Sequence, residues 1–308
     1  MADAPLFQSP RTDAGVGSKP APAGDVRDEP GPLSRTGDLP PLNPEPSVWH
    51  ALTSFRSSAH RFVDVYVGIL GVTIFLIGWQ LVADIMLADV KHLPSPPAVI
   101  VRLYELLTQH GFLGDIAVSL YRIWAAFLLA AAMAIPLGVW MSSYRLVNSL
   151  SEPLIDFVRY LPVPALVPLT VVWLGIGDTM KIVLLWLGTF PQLVLLIADD
   201  AKRVPREYIE VGMTVGAKPH AVIRQIILPA MLPSMVDNLR ITLGWCWTYV
   251  VVAEIVASNS GVGFVIMSAR RYYKTPEIFA GIITIGIIGL FTDQAIRWAH
   301  RLYFAYLR

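Results

Sequence analysis

Long apolar runs separated by short polar ones set the pattern of this chain. A helix crosses a bilayer with about 20 mostly apolar residues, and five runs meet that length: 65–87, 119–141, 180–198, 239–257 and 278–296. A sixth, around 155–176, is interrupted by Pro162, Pro164 and Pro168. Carbonyls freed by proline must find partners away from lipid, so this span is expected in the interior. Segment 94–118 is too mixed to span. Its Val99, Leu103, Leu106 and Leu107 recur at helical spacing opposite Arg102, Glu105 and Gln109. That pattern predicts an amphipathic helix lying on the outer surface and packing over the bundle. The fold class is all-α and integral to the membrane.

Composition agrees. The chain is 55% hydrophobic and 15% charged, with a mean hydropathy of +0.55. A net charge of +1 offers no basic face for nucleic acid. The lone Cys246 excludes a disulfide framework and a cysteine-cluster metal site. Residues 1–46 differ from the rest, holding ten of the 24 prolines and no apolar run. Too little surface is available there to offset the entropy of ordering, which predicts a disordered tail. Residues 47–308 then form the transmembrane domain.

Six spans place both termini on one side, and basic residues near the span ends choose which. With the termini inside, the inner segments hold twelve lysines and arginines against six outside, Arg159 counted among the inner set. Both termini are therefore expected in the cytoplasm. So is the polar stretch between the fourth and fifth spans, about 199–233.

That stretch contains EVGMTVGAKPHAVIRQIILPAMLP, residues 210–233. Gly216 permits a left-handed backbone, and Pro219 suits the first turn of a new helix. The reading is helix, sharp turn, helix, with Pro229 and Pro233 marking entry into the next span. A short helix held off the membrane suits insertion into a groove on a partner.

The spacing of Glu210, Gly212, Gly216, Ala217, Ile226, Leu228 and Pro229 resembles the "EAA" loop of ABC-importer permeases, with Val211-Gly212 in place of Ala-Ala. Four further segments, SLYRIWAAFLLAAAMAIPLGVWM, EPLIDFVRYLPVPALVPLTVVWLGIGD, LGWCWTYVVVAEIVA and GVGFVI, resemble the nitrate/sulfonate/taurine type. The resemblance covers roughly residues 60–303. One departure stands out: Arg159 is followed by Tyr160-Leu161 where the family often has Arg-Pro. The resemblance implies a type I importer fold in a bacterial inner membrane, with the loop docking on a cytoplasmic ATPase. It also implies a periplasmic binding protein and a second permease copy.

No Gly-x4-Gly-Lys-Ser/Thr phosphate loop occurs anywhere in the chain. ATP and Mg²⁺ therefore belong to the partner ATPase, and this chain carries no cofactor or catalytic set. An ion-gradient-driven secondary transporter is the alternative, but such folds show internal repeats and charged relays in broken helices. No convincing repeat is present here, and a relay would rest on Glu254 alone.

Intramembrane charge marks candidate pathway residues. Arg240, Trp247 and Glu254 are seven residues apart and share one face of the fifth span with Gly244. Two readings stand for this stripe: a path lining, or charges pairing structurally at the interfaces. Arg122 and Arg159, near the ends of the second and third spans, are membrane-end anchors or anion-attracting forks. Trp173 and Trp186 read as packing or interfacial aromatics. The implied substrate is a small anion or zwitterion, with sulfonate or taurine ranked first. Glu254 would receive an ammonium group while an arginine attracts the other end.

Overall fold

The computed structural model describes residues 61–86, 93–109 and 111–305. The predicted tail of 1–46 lies outside the described residues. The chain divides into Met1–Val67 and Gly68–Arg308, and the architecture below is that of the second unit.

The described elements are helical throughout. In order they are α1 (Arg61–Met86), α2 (Pro96–Gln109), α3 (Phe112–Ser143), α4 (Arg145–Arg159), α5 (Val163–Leu174) and α6 (Asp178–Lys202). Then come α7 (Arg206–Thr214), α8 (Pro219–Val222), a π turn (Ile223–Ile227), α9 (Leu228–Ala257), α10 (Val262–Arg271) and α11 (Thr275–Tyr303). Five stretches are long and apolar enough to cross a membrane: α1, α3, α6, the continuous run Pro219–Val256, and α11. Helices α4 and α5 pass the same test only as a pair, bent by 100° at a short break in the manner of a broken span or a re-entrant loop. The sequence-derived spans fall on these helices.

Packing is densest between α3 and α6, with α9 against α6 next. Small residues let the first pair close up. A Cβ added at Gly138 would stand 2.8 Å from both Ile197 Cβ and the Val194 carbonyl, and Ala131 and Ala134 continue the seam. Helices in lipid associate through such van der Waals contact rather than through expulsion of water. Gly138 therefore acts as a spacer.

Three details differ from the sequence reading. First, the amphipathic segment 94–118 is two elements, because left-handed Gly111 (φ 67°) ends α2 and α3 starts at Phe112. Val99 and Leu106 pack with Phe112, Val262, Ile266 and Ala280 as expected of a helix lying over the bundle. Arg102, assigned above to its polar face, instead pairs with Glu277 of α11 and with Glu105. Burial opposes the arginine's charge, but these two carboxylates outweigh it and raise its pKa.

Second, Pro162 alone breaks the sixth span. It disfavours helix at Leu161, whereas Pro164 fits the first turn of α5 and Pro168 lies inside it. Third, within the single chain this span has only one face covered. Val163, Val167 and Thr170 are buried, with the Thr170 hydroxyl on the Val167 carbonyl at 2.9 Å. Leu146, Leu150, Leu154, Val172 and Trp173 lie open on the single chain. The freed carbonyls need only one covered face, so the other remains available.

At the end of the bundle opposite Gly216, a polar knot joins four helices. Arg122 of α3 donates from Nη1 to Glu254 Oε1 of α9 at 2.6 Å, and its Nη2 lies 2.7 Å from Asp178 Oδ1 of α6. Their side chains are 1% and 0% exposed for Arg122 and Glu254. Arg122 also donates to the Ser260 carbonyl at 2.9 Å. Ser119 Oγ and the Gly263 N–H both donate to the Glu254 carboxylate at 2.8 Å. Asp115 accepts the Gly261 N–H at 2.7 Å, and Ser119 accepts that of Val262 at 2.9 Å. The turn before α10 is thereby held by side chains from α3 and α9, and Glu254 lies at the positive end of α10.

Removing one partner of a buried pair strands the other, at a cost of about 3–5 kcal/mol. Glu254→Gln is expected near the lower end, about 3 kcal/mol, because Asp178 still faces Arg122. The double change Arg122→Met with Glu254→Leu should cost less than the two single losses added together. Thermal unfolding in detergent measures this. Strict additivity would mean that the two side chains do not depend on each other.

Candidate coupling loop and pathway residues

The loop between α6 and α9 is built on a glycine turn. Gly216 has φ 84°. Its N–H donates to the Met213 carbonyl at 3.0 Å, and the Ala217 N–H reaches back to the Gly212 carbonyl at 3.0 Å. Those two bonds make a Schellman cap, which satisfies the last carbonyls of α7 and turns the chain sharply. Pro219 then opens α8. Helix, turn and helix occur where the spacing placed them.

One face of α7 is anchored. A Cβ at Gly212 would stand 2.5 Å from Ile226 Cδ1, so the helix packs closely on that side chain here, and a larger residue would require the isoleucine tip to shift. Ile209, Ala217 and Ile226 pack on the cluster that holds Ile197, Ala201, Val222, Ile227 and Met231. The adjoining side is open: Tyr208, Val211 and Val215 lie there, the last 80% exposed. Glu210 and Pro229 are also exposed, whereas Leu228 is half-buried. Beside the loop runs a cleft of about 480 Å³, lined in part by Tyr144, Lys202, Arg206, Met213 and Pro219.

The entry into the next span is a correction. Pro229 and Pro233 do not mark a separate start, since the helix runs without a break from Pro219 to Val256. A π turn lies just ahead of Pro229, with the Leu228 N–H on the Ile223 carbonyl. The proline ring would clash with the carbonyl four residues earlier, and the wider turn makes room for it. Displacing the loop therefore displaces the root of α9.

The stripe on α9 keeps its predicted common face, but that face is turned into the chain. Arg240 pairs with Asp293 of α11 at 2.6 Å and with Asp237 at 3.4 Å. Trp247 is buried next to Gly289, beside a cavity of about 130 Å³ that Arg240, Gly244 and Asp293 also line. Glu254 is sealed against Arg122. Within the single chain Arg240, Trp247 and Glu254 thus lie in a packing seam, and Arg122 is buried in a cross-helix pair. The charges are neutralised across helices because burial without a partner is costly.

Arg159 also moves from its assigned place. It was placed at a span end, yet the 100° bend that follows it sets it beside Gly188 and Gln192, midway along α6. Trp186 stacks on Phe190 with ring centroids 5.0 Å apart, and Trp173 is exposed. Asp200 is a polar residue that sequence reasoning missed. Buried in the last turn of α6, it accepts from Asn238 Nδ2 of α9 at 2.7 Å. Asp199-Asp200 after an apolar run reads as interfacial charge, so no local signal announces this link at the loop's root.

Comparison with known proteins follows the same lines. Residues 134–303 match the family described as binding-protein-dependent transport system inner membrane component. The chain is 36% identical over 241 residues to a probable ABC transporter permease of Brucella melitensis, covering 78% of this chain and 97% of that one. It is 33% identical over 252 residues to the taurine transport system permease TauC of Escherichia coli K12, covering 80% and 91%. The inward-facing MetNI methionine ABC transporter shares its fold, with a TM-score of 0.51 and 20% identity over 60% of this chain and 94% of that chain. The protein is a type I importer permease by fold, and it belongs to the family of inner-membrane components of binding-protein-dependent transport systems.

Proposed function

We propose that two copies of this permease form the channel of an ATP-driven importer, receiving a small oxyanion or aminosulfonate from a periplasmic binding protein. The loop around α7 and α8 docks on a cytoplasmic ATPase, one loop for each nucleotidase. Both termini face the cytoplasm, in keeping with the balance of basic residues at the span ends. ATP and Mg²⁺ sit on the ATPase, because this sequence has no phosphate loop.

One observation carries the docking role. Tyr208, Val211 and Val215 offer exposed apolar surface on a helix whose adjoining side, at Ile209 and Gly212, is packed against the root of α9. Such a face fits a groove on a partner and passes the partner's movement to the span. The relationship to a taurine permease supports the substrate class. The zwitterion preference loses its basis, however. Glu254 is already neutralised by Arg122 and has no free charge for an ammonium group. Sulfonates, nitrate and bicarbonate therefore stand level as candidates.

Three outcomes are expected. Gly216→Val places a β-branched residue at positive φ, at a cost of about 1–2 kcal/mol in the turn. The variant should insert normally yet lose ATPase co-purification and at least tenfold of uptake, and wild-type behaviour would return the loop to a plain connector. The purified permease should hydrolyse no ATP until its ATPase is added; hydrolysis by the permease alone would refute the division of labour. In competition against uptake by the complete complex, taurine, alkanesulfonate, nitrate or bicarbonate should compete. Competition by uncharged or cationic compounds only would reject the substrate class and leave the permease assignment standing.

A further inference from the structure

We propose that the cavity at the bend between α4 and α5 is an oxyanion-binding step on the translocation path, with Arg159 as its charge. The inference rests on the substrate class proposed above and assigns it a place in this chain. The cavity has a volume of about 260 Å³ and is lined by Arg159, Tyr160, Pro162, Gly188, Gln192 and Tyr249, among others. Drug-sized sites run from about 300 to 1,000 Å³, so this one suits a smaller ligand. Its depth is mid-membrane. Gly188 and Gln192 lie ten residues from either end of α6, about 15 Å along the helix in each direction.

An arginine at that depth is costly and marks a functional site by default. Two other arginines inside the spans are neutralised across helices, Arg122 by Glu254 and Asp178 and Arg240 by Asp293. Arg159 is held differently. Among the described residues its acidic partner is Asp156, one turn earlier on the same helix and 3.1 Å from Nε. The contact lacks hydrogen-bond geometry, leaving the buried Nε without an acceptor. The Arg159 side chain stays 34% exposed and that of Asp156 43%. Half-exposed pairs of this kind contribute about 0.2–1 kcal/mol, so an incoming anion can displace the aspartate.

The surroundings present donors and positive potential. Arg159 Nη2 donates to the Tyr160 hydroxyl at 3.0 Å, and the guanidinium carbon lies 4.8 Å from that ring's centroid. The ring holds the fork in place by cation–π attraction, and a held guanidinium matches the planar edge of nitrate, carboxylate or sulfonate. Gln192 and Tyr249 line the same wall and carry an amide and a hydroxyl. Val163, the first residue of α5, is also at the cavity, so the positive end of that twelve-residue helix opens onto it. The break at Pro162 thus sets the start of a half-helix beside the cavity, and broken helices are found at the midplane sites of other transporters.

The test uses the complete complex of permease, ATPase and binding protein in liposomes, with labelled taurine, methanesulfonate and nitrate as probes. Rates are measured at saturating loaded binding protein, so that the affinity of that protein does not enter. Arg159→Gln should lower uptake at least tenfold while the variant still co-purifies with the ATPase. Arg159→Lys, which keeps the charge, should restore a substantial part. Gln192→Leu and Tyr249→Phe, milder changes in the same wall, should each lower uptake about threefold or more. Wild-type uptake by Arg159→Gln overturns this inference and leaves the importer reading intact. If Arg159→Gln does not assemble, wild-type rates in both milder variants overturn it equally. Failure of the wild-type complex to carry any of the three probes rejects the substrate class and this site with it.

Discussion

The pairing of Arg122 with Glu254 decides where four helices meet. Neither charge tolerates burial alone, and together they leave donors and acceptors for Ser119, Asp178, Ser260 and the Gly263 N–H. Helices α3, α6, α9 and α10 are therefore tied at one end by a set of bonds that must form together. The turn before α10 has its backbone groups satisfied by those same side chains. With that end secured, the bend and the loop can carry exposed surface without loosening the bundle.

The opposite end is built for transmission. Small residues let α3 and α6 approach closely, and α9 leans on α6 through Asp200 and Asn238. Because Pro219–Val256 is a single helical run, α8 is the first turn of a lever. Gly212 presses α7 onto Ile226 of that lever. A partner that moves the exposed face of α7 thus moves a membrane-spanning helix. The π turn is the one irregularity between them, and it accommodates Pro229.

What was legible in the sequence was local or periodic. The long spans follow from apolar length, and the turn at Gly216 follows from glycine and proline spacing. The inner face of α2 follows from helical periodicity. Pairings distant along the chain were not legible, since Arg122 and Glu254 are 132 residues apart and either alone reads as an interfacial charge. Periodicity put Arg240, Trp247 and Glu254 on one face but says nothing about which way a face turns. Arg159 was misplaced for a different reason: α4 begins at Arg145, well before the expected start near 155, so Arg159 falls at the middle of the α4–α5 pair. The departure from Arg-Pro at Tyr160-Leu161 falls next to this bend, at residues that line its cavity.

On the proposed function, movement of the loop by a nucleotidase, not an ion gradient, drives this bundle. This is tested most directly in liposomes that contain the permease and its ATPase, with loaded binding protein outside. ATP and Mg²⁺ are enclosed, and ionophores collapse every ion gradient. Labelled substrate is expected to accumulate above its outside concentration with enclosed ATP, and not with a non-hydrolysable analogue. Accumulation that needs an ion gradient and proceeds without ATP would contradict it.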